Sequence, residues 1–467
     1  MAKQACSAGF LRESPEFRLG VLETGNTFKQ PLGIFQIVRN CHKCVKKTRS
    51  DAVYFYTMKN STKKAAIGFI FVTLLIDITG WGIILPVVPK LIKELIHSDI
   101  TEAAKYGGWL GFAYAFTQFI FSPMVGNLSD KYGRRPIILI SLFGFAVDYI
   151  FLAFAPSISW LLLGRVIAGL TGASLSTASA YIADISTDKD RAKNFGMIGA
   201  ALGLGFIIGP TIGGLLGHYG ARVPFYAAAV LCMLNFLYGY FILPESLDKD
   251  KRRAFEWKRA NPVGSFKFLR KYPQISGLVI ALTLIYIAMH AVQSNWHFFT
   301  MYEFGWTERM VGISLGVLGL LLGLVQGILI RWTTPKFGEQ KSIYYGLICY
   351  TLGLLLFAFA NQGWMMIVFL IPYSLGGICG PAIQSVMSKD VLSNEQGELQ
   401  GALTGLVSAT SIIAPPLMTN LFYYFTNDEA PFKFSGAPFF LASVFMAISV
   451  IIVYSTFQRK GKKQVKN

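Results

Sequence analysis

The stretch Gly126-Asn127-Leu128-Ser129-Asp130-Lys131-Tyr132-Gly133-Arg134-Arg135-Pro136 joins two long apolar runs through a short polar loop. Gly126 lets neighbouring helices approach, and Gly133 permits the positive φ of a sharp turn. Asp130 can accept charge-assisted hydrogen bonds from arginines or from a facing helix N-terminus. A polar latch of this kind holds one conformation and is released in another. Gly126, Asp130, Gly133, Arg134 and Arg135 are therefore a candidate gating motif. A plain basic loop that only sets topology is the simpler reading, and the specific spacing disfavours it.

The flanking runs decide the class of protein. Residues 65–86 and 136–154 are continuous apolar stretches, and about 20 such residues at helical rise cross a ~30 Å hydrocarbon core. The 467-residue chain is 53% hydrophobic and 15% charged, where soluble domains carry about a quarter charged residues. Its mean hydropathy is +0.48. A net charge of +18 raises the possibility of a nucleic-acid partner, since basic patches neutralise phosphates. The charges instead sit between apolar spans, as topology determinants do. The six cysteines are scattered, and Cys232, Cys349 and Cys379 fall inside apolar runs, so no disulfide framework is implied. The expected surroundings are a lipid bilayer, with no cofactor, metal or nucleic acid.

Polar breaks near residues 90–105, 129–135, 155–159, 184–193, 217–222, 245–272, 302–309, 331–341, 361–363, 389–400 and 426–437 divide the chain into about twelve spans. Each must be a helix, because lipid offers the backbone no hydrogen bonds. The expectation is an all-α membrane protein. One set of alternate loops, with both ends, holds about 27 Lys and Arg against about 6 in the other set. That bias places both termini in the cytoplasm and the chain in the inner membrane, and an even number of spans agrees. The long charged stretch 245–272 falls after the sixth span and separates two six-helix halves, 58–244 and 273–458, followed by a basic tail, 459–467. Two parallel halves are a recurrent transporter plan, with the substrate between them. Residues 1–57 contain no spanning stretch and no cleavable signal; the expectation is a disordered leader or a start at Met58. The pair Cys41 and Cys44 is weak evidence for a metal site.

Gly205, Gly209, Gly213 and Gly217 recur every four residues in the fifth span, with Pro210 and Gly214 beside them. Small residues at this spacing allow close helix contact. Asp77 lies about 12 residues, or ~18 Å, into the first span, and Asp148 has a similar depth in the third. A carboxylate there is expensive unless protonated, paired or facing a wet cavity. Arg165 is the fixed cation deep in a span, either organising these acids or touching an anionic substrate; the first is favoured. Gln118, Gln293, Gln326 and Gln384 offer polar contacts to a ligand or a neighbouring helix. His290 and His297 read as packing histidines of the seventh span.

The segment 126–136 resembles the signature loop of the major facilitator superfamily. A weaker counterpart, Gly327, Arg331, Lys336, Gly338 and Lys341, follows the eighth span, without an acid matching Asp130. The fifth-span pattern of Gly205, Gly209, Pro210, Gly213 and Gly214 resembles a motif of the superfamily's drug:proton antiporters. Finer detail is similar to the tetracycline-efflux branch: Asp77-Ile-Thr-Gly80-Trp-Gly82, Leu85-Pro86, Gln118 before Ser122-Pro123, Ala146-Val147-Asp148-Tyr149, Leu163-Gly164-Arg165, Ile182-Ala183-Asp184, Phe304-Gly305-Trp306 and Gln400-Gly401. The resemblance implies proton-coupled export of amphipathic drugs, with Asp77, Asp148, Arg165 and Gln118 as candidates for proton coupling or the substrate cavity. It departs at Leu322 and Tyr350, where that branch commonly has a histidine and an acid, so a proton path would rely on the first half. A metabolite or sugar transporter of the same fold is the alternative, and an uptake protein would be expected to lack the fifth-span pattern. No nucleophile motif, nucleotide loop or metal cluster supports an enzyme.

Overall fold

A computed structural model describes residues 66–172, 174–186, 190–256, 271–392 and 395–464. The expected leader and the pair Cys41 and Cys44 lie outside the described residues. The first half runs α1 (Ala66–Ile84), α2 (Val88–Ile96), α3 (Ile100–Tyr132), α4 (Arg134–Ala153), α5 (Ile158–Thr171), α6 (Ser174–Ile185), α7 (Arg191–Gly217) and α8 (Val223–Ile242). The second half runs α9 (Ser276–Phe304), α10 (Glu308–Leu324), α11 (Ile330–Ala358), α12 (Gly363–Leu375), α13 (Cys379–Lys389), α14 (Gln396–Thr426) and α15 (Ala437–Gln464).

Among the described residues, ten helical stretches are long and apolar enough to cross a membrane. Dividing the 51-residue stretch Glu308–Ala358 at Gly338, and counting the 33-residue α3, brings the number to twelve. The fourth and tenth spans are each made of two short helices, α5 with α6 and α12 with α13. Two expected breaks are helical instead. The segment near Lys90 carries α2, which ends at His97 in a left-handed conformation (φ 51°) before Asp99 caps α3 by accepting from the Glu102 N–H at 2.9 Å. The segment 331–337 stays helical because its polar groups are satisfied within the helix. Thr333 Oγ1 donates to the Leu329 carbonyl at 3.0 Å, and Lys336 lies over the Trp332 ring. The chain turns only at Gly338 (φ 78°, ψ 163°), a region open essentially to glycine.

Lipid supplies no hydrophobic drive between helices, so packing rests on close contact and on buried polar ties. Buried Asn235 of α8 donates to the Thr73 carbonyl of α1 at 3.0 Å. Buried Trp296 of α9 donates to Ser314 Oγ of α10 at 2.8 Å. Large apolar side chains such as Phe241 and Ile451 point outward, 78% and 67% exposed, as a lipid-facing surface requires.

The halves meet along two helix pairs, α7 with α10 and α3 with α14. On one face of α10, a Cβ at Gly312 would lie 2.9 Å from Gly214 Cα, and one at Gly319 would lie 2.9 Å from Ile207. Gly323 and Gly327 continue that face at helical spacing, yet have nothing within 4 Å. In the second pair, Gly108 and Gly111 abut Pro416 and Pro415, whereas Gly126 and Gly401 are open. Both pairs close at the ends remote from the Gly133 and Gly338 turns and part toward them. An ion pair, Lys90 Nζ to Glu308 at 3.1 Å, bridges the halves on the closed side. Inter-half contact is thus concentrated at one face of the bundle.

Candidate substrate cavity and gate

A cavity of about 280 Å³ lies between the halves. Trp81 of α1, Tyr114 and Gln118 of α3, Arg165 of α5, His290, Gln293 and His297 of α9 and Ser411 of α14 contribute to its wall. Of the candidates from sequence, Gln118, Gln293 and Arg165 reach it. Asp77 and Asp148 sit behind its wall, 8% and 0% exposed.

The acids have separate partners. Arg165 Nη2 donates to Asp148 Oδ2, an ion pair whose members are 13% and 1% exposed. Asp148 Oδ1 and Arg165 Nε are buried with no partner among the described residues. Asp77 Oδ2 instead accepts from Ser174 Oγ at 2.5 Å. Ser174 opens α6, so Asp77 lies at a helix N-terminus, where the dipole favours negative charge. Of the two roles open to Arg165 from sequence, organising the acids or touching an anionic substrate, the favoured one reaches Asp148 but not Asp77. Ser174 was missed, because only the interruption of the fourth span marks it. That interruption also explains Gln118. Its Nε2 donates to the Gly172 carbonyl at 2.8 Å, a group freed where α5 ends, and contacts Tyr114 Oη at 3.0 Å.

His290 and His297, expected as packing histidines, also border the cavity, His297 while 6% exposed and against the Phe298 ring. His290 Nε2 is 3.2 Å from Ser411 Oγ. Gln384 satisfies a neighbouring helix, donating to Tyr286 Oη at 3.2 Å. Leu322 and Tyr350 pack with the buried core, Tyr350 against Tyr373.

The 126–136 loop forms a charged cluster. Arg134 Nη1 meets Asp130 Oδ1 at 2.6 Å and Ser129 Oγ at 2.5 Å, and its Nε meets Asp184 Oδ2 at 3.2 Å. Glu245 accepts from the free N–H groups of Arg134 and Arg135 at 2.9 and 3.3 Å, which caps α4. Arg135 Nη2 donates to the Tyr240 carbonyl at 2.6 Å. Sequence assigned Glu245 to the linker; its capping role has no local signature, because it lies over a hundred residues from the helix it caps. Gly133 (φ 108°) makes the turn, and a Cβ there would lie 2.8 Å from Glu245 Cδ. In the second half Glu339 Oε2 pairs with Lys389 Nζ at 2.7 Å, and Ser385 Oγ donates to Glu339 Oε1 at 2.6 Å.

The fifth-span glycines divide their work. Gly205, Gly209 and Gly213 pack on α1, against Ile78, Gly82 and Ile83, and Gly214 faces α10. Pro210 contributes to both contacts, through its ring toward Gly82 and its carbonyl toward Gly312.

The profile described as Major Facilitator Superfamily matches residues 70–415 and 298–467. The chain is 40% identical over 350 residues to the class C tetracycline resistance protein of Escherichia coli, covering 75% of this chain and 88% of that protein. It is 35% identical over 415 residues to the class B tetracycline resistance protein of Escherichia coli, covering 87% and 99%. Among solved structures, the nucleoside transporter NupG superposes with a TM-score of 0.66 at 14% identity, over 85% of this chain and 98% of that one; at that identity the likeness concerns the fold. Two six-helix halves, a cavity between them and a charged turn at matching places in each agree with the profile, and the chain belongs to the major facilitator superfamily.

Proposed function

We propose that this protein exports amphipathic drugs, tetracycline-like or broader, across the inner membrane by proton-coupled alternating access. The observation that carries the reading is a cavity at the half interface with a cation in its wall paired to a buried acid behind it, in a chain 40% identical to a tetracycline resistance protein. The bias of Lys and Arg toward the loops at Gly133 and Gly338 assigns that side, and both termini, to the cytoplasm. The described conformation then opens inward. Asp77 and Asp148 take up and release the transported proton, and Arg165 holds Asp148 in the intervening state. Intramembrane carboxylates are retained chiefly for such work, and protonation shifts the balance between the inward and outward states. The cluster around Arg134 belongs to the same cycle, as a latch remade at each reversal. Its substrate and protons are the only partners the reading requires.

Drug-dependent proton movement in inverted membrane vesicles tests this. Tetracycline should drive proton release from energised vesicles containing the wild-type protein. Asp77→Asn and Asp148→Asn should each abolish it while the purified proteins stay folded. Antiport that survives either substitution removes that residue from the coupling, and an absence of response to tetracycline and to other amphipathic drugs sinks the export reading.

A further inference from the structure

The central cavity presents one fixed cation and a set of neutral groups, with no Asp or Glu among its described lining residues. Arg165 is the cation. Tyr114, Gln118, Gln293, His290 and His297 supply hydrogen-bonding edges. The acids of the first half do not counter this from within the wall. Asp148 is 1% exposed where Arg165 is 13% exposed, so the guanidinium meets the cavity and the carboxylate stands behind it. Asp77 is buried against Ser174. The bond to Asp148 uses Nη2 and Nε is buried, which leaves the N–H donors of Nη1 to meet a carboxylate or sulfonate oxygen.

An amphipathic cation entering this cavity would shed water, gain no carboxylate and face a guanidinium. Charge withdrawn from water without a partner is costly. An amphipathic anion would gain a charge-assisted bond and several neutral donors. The apolar remainder of the wall accepts a flat hydrophobic body, and about 280 Å³ suits a small aromatic compound. We infer that the cavity takes amphipathic organic anions, an apolar ring system bearing a carboxylate, sulfonate or ionised enol, with the anionic group on Arg165. This rests on the export reading and narrows its substrate class.

Two probes with one ring and opposite heads test it: naphthalene-2-sulfonate and (2-naphthyl)trimethylammonium, titrated calorimetrically into the full-length protein in lipid nanodiscs. The sulfonate should bind at least tenfold more tightly than the ammonium. Arg165→Gln should cost the sulfonate at least tenfold and leave the ammonium unchanged or tighter, and Arg165→Lys should recover part of the loss. Equal binding of the two probes to wild type overturns the inference, as does sulfonate binding indifferent to Arg165→Gln. Should that variant fail to fold because Asp148 loses its partner, the wild-type comparison and Arg165→Lys still decide. Tetracycline export, measured in parallel in inverted vesicles, separates the two readings. Export without discrimination between heads sinks the substrate class and leaves efflux standing; Arg165-dependent discrimination without export of tetracycline or either probe supports the anion site and sinks efflux.

Discussion

The turns at Gly133 and Gly338 occupy matching places in the two halves and carry opposite charges. Arg134 follows the first and pairs with Asp184, 50 residues on; Glu339 follows the second and pairs with Lys389, also 50 residues on. A serine completes each cluster, Ser129 in one and Ser385 in the other. What the repeated architecture preserves is complementarity between the turn and the end of the helix opposite it, with the sign left free. The two differ in depth. Arg134 is 12% exposed and shared between two carboxylates, beside a helix N-terminus already capped by Glu245. Lys389 is 68% exposed and has one carboxylate to itself. The first is a network around a guanidinium largely shielded from water, and the second is close to an ordinary surface pair, which contributes little.

The sharpest way to break the comparison is to reverse each sign in turn. Arg134→Glu sets a carboxylate against Asp130 and Asp184, and should cost the described conformation about 4 kcal/mol and abolish drug export from cells. Gly133→Ala should cost about 3 kcal/mol, because its backbone geometry is nearly closed to other residues and its Cβ would press on Glu245. Gly338→Ala meets nothing within 4 Å and should cost only the backbone share, about 2 kcal/mol; thermal unfolding of the two variants in one detergent reads the difference. Glu339→Arg should cost about 1 kcal/mol or less and be restored by Lys389→Glu. A large effect there would mean that the two turns are equal partners after all.

A third pair on the same side sets the lower end of the scale. Lys271 donates to Glu395, which also accepts from Tyr272 Oη at 2.5 Å, joining the segment ahead of α9 to the start of α14. The hydrogen bond from Lys271, and next that from Tyr272, hold the Glu395 carboxyl below the usual carboxylate range. A carboxyl whose folded value is depressed contributes above its unfolded value, about 4.3, and the contribution fades as pH falls through the folded one. Hydrogen exchange at residues 271–275 should therefore be constant from pH 7 to 5, after correction for intrinsic rates, and accelerate only below the ordinary carboxylate range.

The architecture could be read from sequence because lipid imposes a length on each helix and hides no polar backbone; the apolar runs, the short turn at Gly133 and the count of about twelve spans follow from that rule. Sequence was less informative wherever a group's partner lies far along the chain. The second-half turn looked incomplete for want of an acid matching Asp130; Glu339 stands instead where Arg134 does, and that sign change is invisible until Lys389 is placed beside it. Glu245 looked like one more charge in a linker. Ser174 gave no signal, and the histidines of α9 looked like packing groups because one helix cannot announce which of its faces meets a cavity. Segment 331–337 looked like a loop because polarity was taken as exit from the helix, whereas its side chains bond back onto it.

The contact between α7 and α10 has a mechanical consequence. Where Gly214 meets Gly312, backbone lies on backbone, and farther along the joint the knobs come from α7 alone, with Thr211 and Ile207 resting on Gly316 and Gly319. A knobbed surface must change rotamers at every step as it rolls, and each well left behind adds friction. A smooth one behaves as a bearing, about which the halves can rock with little resistance from the joint itself. The slow step of the cycle then belongs to the charged clusters and to the cargo, and a side chain introduced at Gly312 would act as grit: it would wedge the closed end while leaving the cavity chemistry untouched.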